Sequence, residues 1–187
     1  MLIYRSVISL FWIIFVVYWL TSALSAKKTI KRSRWTITIR IVALIVIILV
    51  LRSNAFANFD ATFLTHPSDG LGIIGMIVCG LGIALAIWAR AYLGKNWGAP
   101  MSIKENAELI TSGPYKYIRH PIYAGVILAM LGSALVGDAV WLIAIIIFLP
   151  YFILVSARKE EQNMTKLFPA EYPEYKKKTK MVIPFVL

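Results

Sequence analysis

The sequence predicts an all-α, polytopic membrane protein, and three observations carry that expectation. Of 187 residues, 59% are hydrophobic and only 16% are charged, against roughly half and a quarter in a soluble domain. The apolar residues gather into five runs, each close to the ~20 residues that a helix needs to cross a bilayer core of about 30 Å. The lysines and arginines behind the net charge of +11 crowd between and after these runs, which points to anionic lipid headgroups as partners and not to nucleic acid. Helices are the expected element because lipid offers the backbone no hydrogen-bond partner, so each span must satisfy its own groups.

The expected spans are Leu2–Ala23, Trp35–Leu51, Gly70–Leu93, Ile122–Val136 and Ala139–Val155. The first shares the position of a signal peptide, but its apolar stretch is too long and lacks a small-residue cleavage site. Only Gly137 and Asp138 separate the fourth from the fifth, which makes this pair a tight helical hairpin near the C-terminus. Gly75, Cys79, Gly82 and Ala86 on the third span, and Gly125, Ala129 and Ser133 on the fourth, recur at helical spacing. Such small faces let helices approach closely in a membrane, so they are read as packing and not as ligand-binding surfaces. Cys79 is the only cysteine and sits on that face, so neither an intramolecular disulfide nor a cysteine metal cluster is expected. Apolar material covers most of the chain, which argues for a single membrane domain.

Sidedness follows from the basic residues. Lys27, Lys28, Lys31, Arg32 and Arg34 follow the first span, Lys95, Lys104, Lys116 and Arg119 follow the third, and the tail is basic throughout. The connection after Arg52 carries Asp60 and Asp69 with no lysine or arginine, and the hairpin tip carries Asp138. The positive-inside rule then puts the N-terminus outside and the C-terminus in the cytoplasm. The polar stretches from Leu93 to Tyr175, with their His, Glu and Tyr residues, fall on the cytoplasmic side.

Those stretches carry the chemistry. Leu93-Gly94-Lys95-Asn96-Trp97 leaves the membrane, and Gly113-Pro114 marks a turn before Tyr115. Pro121 suits the first turn of a helix, where its missing N–H costs nothing, so Arg119 and His120 stand at a helix N-terminus whose free N–H groups can take an anionic group. After the last span come Arg158-Lys159-Glu160-Glu161, then Leu167-Phe168-Pro169, Tyr172 and Tyr175. Taken alone, the glutamates are as readily partners of the surrounding cations, and the tyrosines serve equally to staple a short helix to the interface. Arg90 continues the small-residue stripe of the third span to its cytoplasmic end, either over an inter-helix seam or snorkelling to the surface.

In order and spacing, these fragments from Arg90 to Pro184 resemble the isoprenylcysteine carboxyl methyltransferase and phospholipid methyltransferase superfamily of integral membrane enzymes. The resemblance implies a methyltransferase core over residues 70–187, behind N-terminal helices in 1–69. It also implies a pocket for S-adenosylmethionine between the cytoplasmic ends of the last spans and the tail. On this pattern the cofactor is contacted by a strand-like stretch of Ala107, Glu108, Leu109 and Ile110, by Tyr115, and by the block His120, Pro121, Ile122 and Tyr123. Glu160 meets its amino group. A carboxylate suits an ammonium, and aromatic faces suit a sulfonium and an adenine. One position departs from the pattern: prenylcysteine carboxyl methyltransferases carry an arginine four residues before the matching glutamate, where this chain has Ser156. Arg158 lies about 200° further round a straight helix and is no simple substitute, which leaves Arg90 or Arg158 to supply the cation for an acceptor carboxylate.

The implied reaction is methyl transfer to a lipid-like or prenylated acceptor that enters sideways from the bilayer. A prenylcysteine carboxylate, with a pKa near ~3.5, arrives ionised and needs no base. A phospholipid amine is protonated at neutral pH and needs one, for which Glu161 and His120 are the candidates. The pattern as a whole favours the carboxylate. The competing readings are a phospholipid N-methyltransferase, a membrane reductase using NADPH, and a non-catalytic membrane scaffold. A transporter is disfavoured because only Arg40 lies well inside an expected span.

Overall fold

The computed structural model describes residues 2–31, 68–98, 103–137 and 139–182. In chain order it contains α1 (Leu2–Ala23), β1 (Thr29–Lys31), α2 (Asp69–Leu93), β2 (Ile103–Lys104), α3 (Pro121–Leu135), α4 (Ala139–Tyr151), α5 (Arg158–Leu167) and α6 (Glu171–Lys178). The described chain is therefore helical, apart from one small ribbon that the sequence did not announce. In it β1 and β2 pair antiparallel, Thr29 opposite Lys104 and Lys31 opposite Ile103.

Among the described residues, three helical stretches are long and apolar enough to cross a membrane: Leu2–Ala23, Asp69–Asn96 and Trp141–Leu167. The second expected span, Trp35–Leu51, lies outside the described residues. The fourth, expected at Ile122–Val136, is present as α3 with the same 15 residues of length shifted by one, but at ~1.5 Å per residue it reaches about 22 Å, short of a ~30 Å hydrocarbon core. The fifth does not stop at Val155. Pro150 removes one backbone donor near the end of α4, and a π-helical segment, Phe152–Ala157, carries the chain without a break into α5. The expected hairpin is present, with Gly137 at φ 84° in the turn between α3 and α4.

Local signals explain where the helices start and stop. Ser68 caps α2 by accepting from the Leu71 N–H at 3.4 Å, with Asp69 in the first turn complementing the helix dipole. Gly94, at φ 52°, ends it with its N–H on the Arg90 carbonyl. Pro121 opens α3 as expected.

The two small-residue stripes face each other. A Cβ built on Gly125 would lie 2.6 Å from the Gly82 carbonyl oxygen and 2.7 Å from the Ala86 nitrogen, and one on Gly75 would lie 2.7 Å from the Gly132 carbonyl oxygen. The backbones of α2 and α3 therefore touch, and Cys79 and Ala129 are wholly buried between them. Helix α1 adds an aromatic layer: Trp12 donates to the Ser133 hydroxyl at 3.0 Å and stacks on Trp141 with centroids 4.6 Å apart. Tyr4 reaches Asp69 at one end of α1, while Arg90 reaches the Ser22 carbonyl at the other, so α1 and α2 run parallel. Arg5 donates to the Gly137 carbonyl at 2.9 Å, which brings the hairpin turn to the end where α1 and α2 begin.

Candidate active site

The polar groups gather at the opposite end, where α3 begins and the π-helical segment runs into α5. Spacing of four residues puts Phe152, Ser156 and Glu160 on one inward face, with Ala157 and Glu161 beside it; Phe152, Ser156, Ala157 and Glu161 are buried. Glu160 is more open, with 24% of its side chain exposed. One carboxylate oxygen, Oε1, accepts from the Tyr123 hydroxyl at 2.9 Å and from the Ser156 hydroxyl at 3.1 Å. The other, Oε2, lies 3.6 Å from His120 Nδ1 and accepts no hydrogen bond among the described residues. Aromatic rings surround this carboxylate: Tyr123 and Phe152 have centroids 4.0 Å apart, and the His120 ring meets Phe152 edge-on at 5.5 Å. His120 is buried, and its Nε2 has no hydrogen-bond partner, standing 3.7 Å from Glu161.

Glu161 is engaged differently. Oε1 accepts from Arg119 Nε at 2.7 Å, and Oε2 pairs with Lys176 Nζ at 2.5 Å. Arg119 and Glu161 are both over nine-tenths buried, so each depends on the other for its charge. Arg119 also donates to the Thr179 and Lys176 carbonyls. The tail is thereby bound back onto the start of α3. The N–H groups of Arg119 and His120, expected to be free for an anion, donate to the Lys180 and Met181 carbonyls instead.

The tyrosines belong to the same closure. Tyr172 is buried, and the Tyr175 hydroxyl donates to the Tyr115 carbonyl at 2.7 Å. Burial pushes the Tyr175 hydroxyl up to about 12, with Arg119 and Thr179 opposing the rise. Tyr172 is raised for the same first reason, and Glu161 adds to it. These residues dock the tail on the turn at 113–116 instead of facing lipid.

The other residues singled out by sequence make no side-chain hydrogen bond or ion pair to Glu160 among the described residues. Residues 107–110 form no strand. Glu108 pairs with Lys27 at 2.9 Å, and its N–H reaches the Asn96 side chain at 3.3 Å, which ties this stretch to the ends of α1 and α2. Lys27 holds the Glu108 carboxyl below the usual range. Ala107, Leu109 and Ile110 are half-buried, Pro121 is buried and Ile122 is half-buried in the first turn of α3. Arg158 is exposed, whereas Ser156 two residues earlier is buried, as a 200° separation requires. Arg90 is buried at the end of α2.

Sequence reasoning named Arg119 only beside a helix N-terminus and Ser156 only as a departure from the family pattern, and did not single out Lys176; all three join this cluster. Ser156 was visible in the i, i+4 spacing to Glu160. The Arg119–Glu161 pair, 42 residues apart, had no local signal.

The family described as phospholipid methyltransferase matches residues 71–171, from α2 to the start of α6. The cobalt-zinc-cadmium resistance protein CzcN of Cupriavidus metallidurans is 28% identical over 144 residues, covering 75% of this chain and 61% of that protein. The nickel-cobalt-cadmium resistance protein NccN of Alcaligenes xylosoxydans xylosoxydans is 24% identical over 147 residues, covering 78% and 62%. The protein-S-isoprenylcysteine O-methyltransferase of Schizosaccharomyces pombe is 28% identical over 142 residues, covering 73% and 58%. The chain spans about three fifths of the length of these relatives. The matched segment takes in more than half of the sequence and includes Arg119, His120, Tyr123, Ser156, Glu160 and Glu161; the chain belongs to the phospholipid methyltransferase family.

Proposed function

We propose that this protein is an S-adenosylmethionine-dependent integral membrane methyltransferase acting on a lipid-like acceptor of the prenylcysteine carboxylate type. The observation that carries the reading is the Glu160 carboxylate. One oxygen is fixed by Tyr123 and Ser156, the other is open, and aromatic rings surround it. Family membership and the S-isoprenylcysteine O-methyltransferase relative support the same chemistry.

The residues present fit such a cofactor. Glu160 Oε2 and the buried His120 Nε2 make no hydrogen bond among the described residues, each having only an ionisable neighbour at 3.6 and 3.7 Å, and an ammonium with neighbouring hydrogen-bonding groups would satisfy them. When bound, S-adenosylmethionine supplies an electrophilic methyl group on a sulfonium. Glu160 holds the ammonium, Tyr123 and Phe152 offer faces that favour a cation, and the tail docked through Tyr172 and Tyr175 excludes water from the site. The pocket opens to the cytoplasm in this reading, and the acceptor reaches it from the bilayer between helices.

The state of Glu161 favours an acceptor that is already ionised. Both of its oxygens are held by cations, which makes it a poor general base, and a carboxylate acceptor requires none. The test is methyl transfer to a soluble prenylcysteine and to phosphatidylethanolamine between about pH 6 and 8. A carboxylate with a pKa near ~3.5 gives a rate nearly flat over that range. A rate confined to the amine acceptor, climbing by up to roughly tenfold per pH unit below its pKa, would overturn the carboxylate assignment and leave His120 as the base.

A further inference from the structure

Arg90 is 1% exposed, the largest fully buried side chain among the described residues. Its Nη1 donates to the Gly94 carbonyl and its Nη2 to the Ser22 carbonyl, both at 2.7 Å, and the guanidinium carbon sits 4.6 Å from the centre of the Trp97 ring. A guanidinium has five N–H donors. Nε makes no hydrogen bond, and among the described residues no carboxylate pairs with the group. Two carbonyls and a ring face leave a buried charge without a counter-ion, a costly arrangement that an anionic ligand would relieve.

Arg90 and Glu160 act electrostatically, in opposite directions, on the buried Tyr115. Burial pushes the Tyr115 hydroxyl up, Tyr175 and Glu160 add to the rise, and Arg90 opposes it. A carboxylate oxygen and a buried guanidinium N–H, both without a hydrogen bond among the described residues, thus belong to groups that bear on one buried residue. That pairing of charges matches a ligand carrying a carboxylate as well as an ammonium. Arg158, exposed on the far face of its helix, has no comparable setting.

We propose that Arg90 is the carboxylate-binding residue of this site, taking the anion through its Nε–H and a neighbouring guanidinium N–H. The assignment rests on the methyltransferase reading. The carboxylate has two sources, the amino-acid end of S-adenosylmethionine or the acceptor itself. Calorimetry on the purified full chain separates them with two ligand pairs: S-adenosylmethionine against its decarboxylated form, and N-acetyl-S-farnesylcysteine against its methyl ester.

In the wild type, loss of the carboxylate from one pair should weaken binding by roughly ten- to a hundredfold, and the pair affected names the source. In Arg90→Gln the two members of that pair should bind alike. Because Arg90 also ties α1 to α2, Arg90→Lys serves as a second variant. It keeps the charge without the planar fork and should shrink the preference while melting near the wild type. Equal binding within both wild-type pairs, or a preference that survives unchanged in a folded Arg90 variant, would overturn the proposal. Failure of S-adenosylmethionine to bind at all would count against the cofactor reading alone, because the farnesylcysteine pair still reports on Arg90.

Discussion

Glu160 and Glu161 are adjacent in sequence and opposite in circumstance. Glu161 is buried against Arg119 and Lys176, with both oxygens paired, while Glu160 keeps one oxygen open beside His120. Sequence alone identified the glutamate pair, His120 and Tyr123 as chemistry-bearing residues, because the type and order of the fragments carry that information. The resemblance assigned Glu160 to an ammonium and left Glu161 as a candidate base. What the sequence could not show is that Arg119 is brought to Glu161 across 42 positions of chain by folding. Glu160→Gln should weaken S-adenosylmethionine binding by roughly ten- to a hundredfold, the value of a hydrogen bond to a charged group, with the melting temperature little changed. Wild-type affinity in a folded Glu160→Gln protein would make Glu160 an ordinary interfacial carboxylate.

At the scale of elements, the seam between α2 and α3 fixes where His120 and Tyr123 stand relative to the rest of the site. The small residues at both faces were legible as packing surfaces because their helical period is written into the sequence. That they face each other was not, since periodicity identifies a face and not its partner. Helix lengths were legible for α1, α2 and α3 and misjudged for the last span. Apolarity does not reveal that the chain after Pro150 rewinds through a π-helical segment and stays helical to Leu167. Because a Cβ on Gly82 would meet the Gly125 carbonyl at 2.6 Å and the Ala129 backbone, Gly82→Ala must push the helices apart. It should cost about 1–3 kcal/mol, as overpacking does. Gly70→Ala, whose Cβ would meet only the Ser68 hydroxyl at 3.8 Å, is the control. Detergent-solubilised unfolding should separate the two variants, and equal stability would mean that the close seam is absent in the folded protein.

Across the whole molecule, the two ends differ in character. One end holds Tyr4, Arg5, Asp69 and the hairpin turn. The other gathers Lys27, Arg90, the start of α3, the Glu160 cluster and the basic tail. The described features that the sequence placed on one side of the membrane share one end of the protein. Isothermal calorimetry tests most directly whether this end binds S-adenosylmethionine, with NADPH as the rival ligand. Saturable heat is expected with S-adenosylmethionine, none with NADPH, and a loss of affinity in Glu160→Gln. Saturable binding of NADPH with no response to S-adenosylmethionine would contradict the cofactor reading.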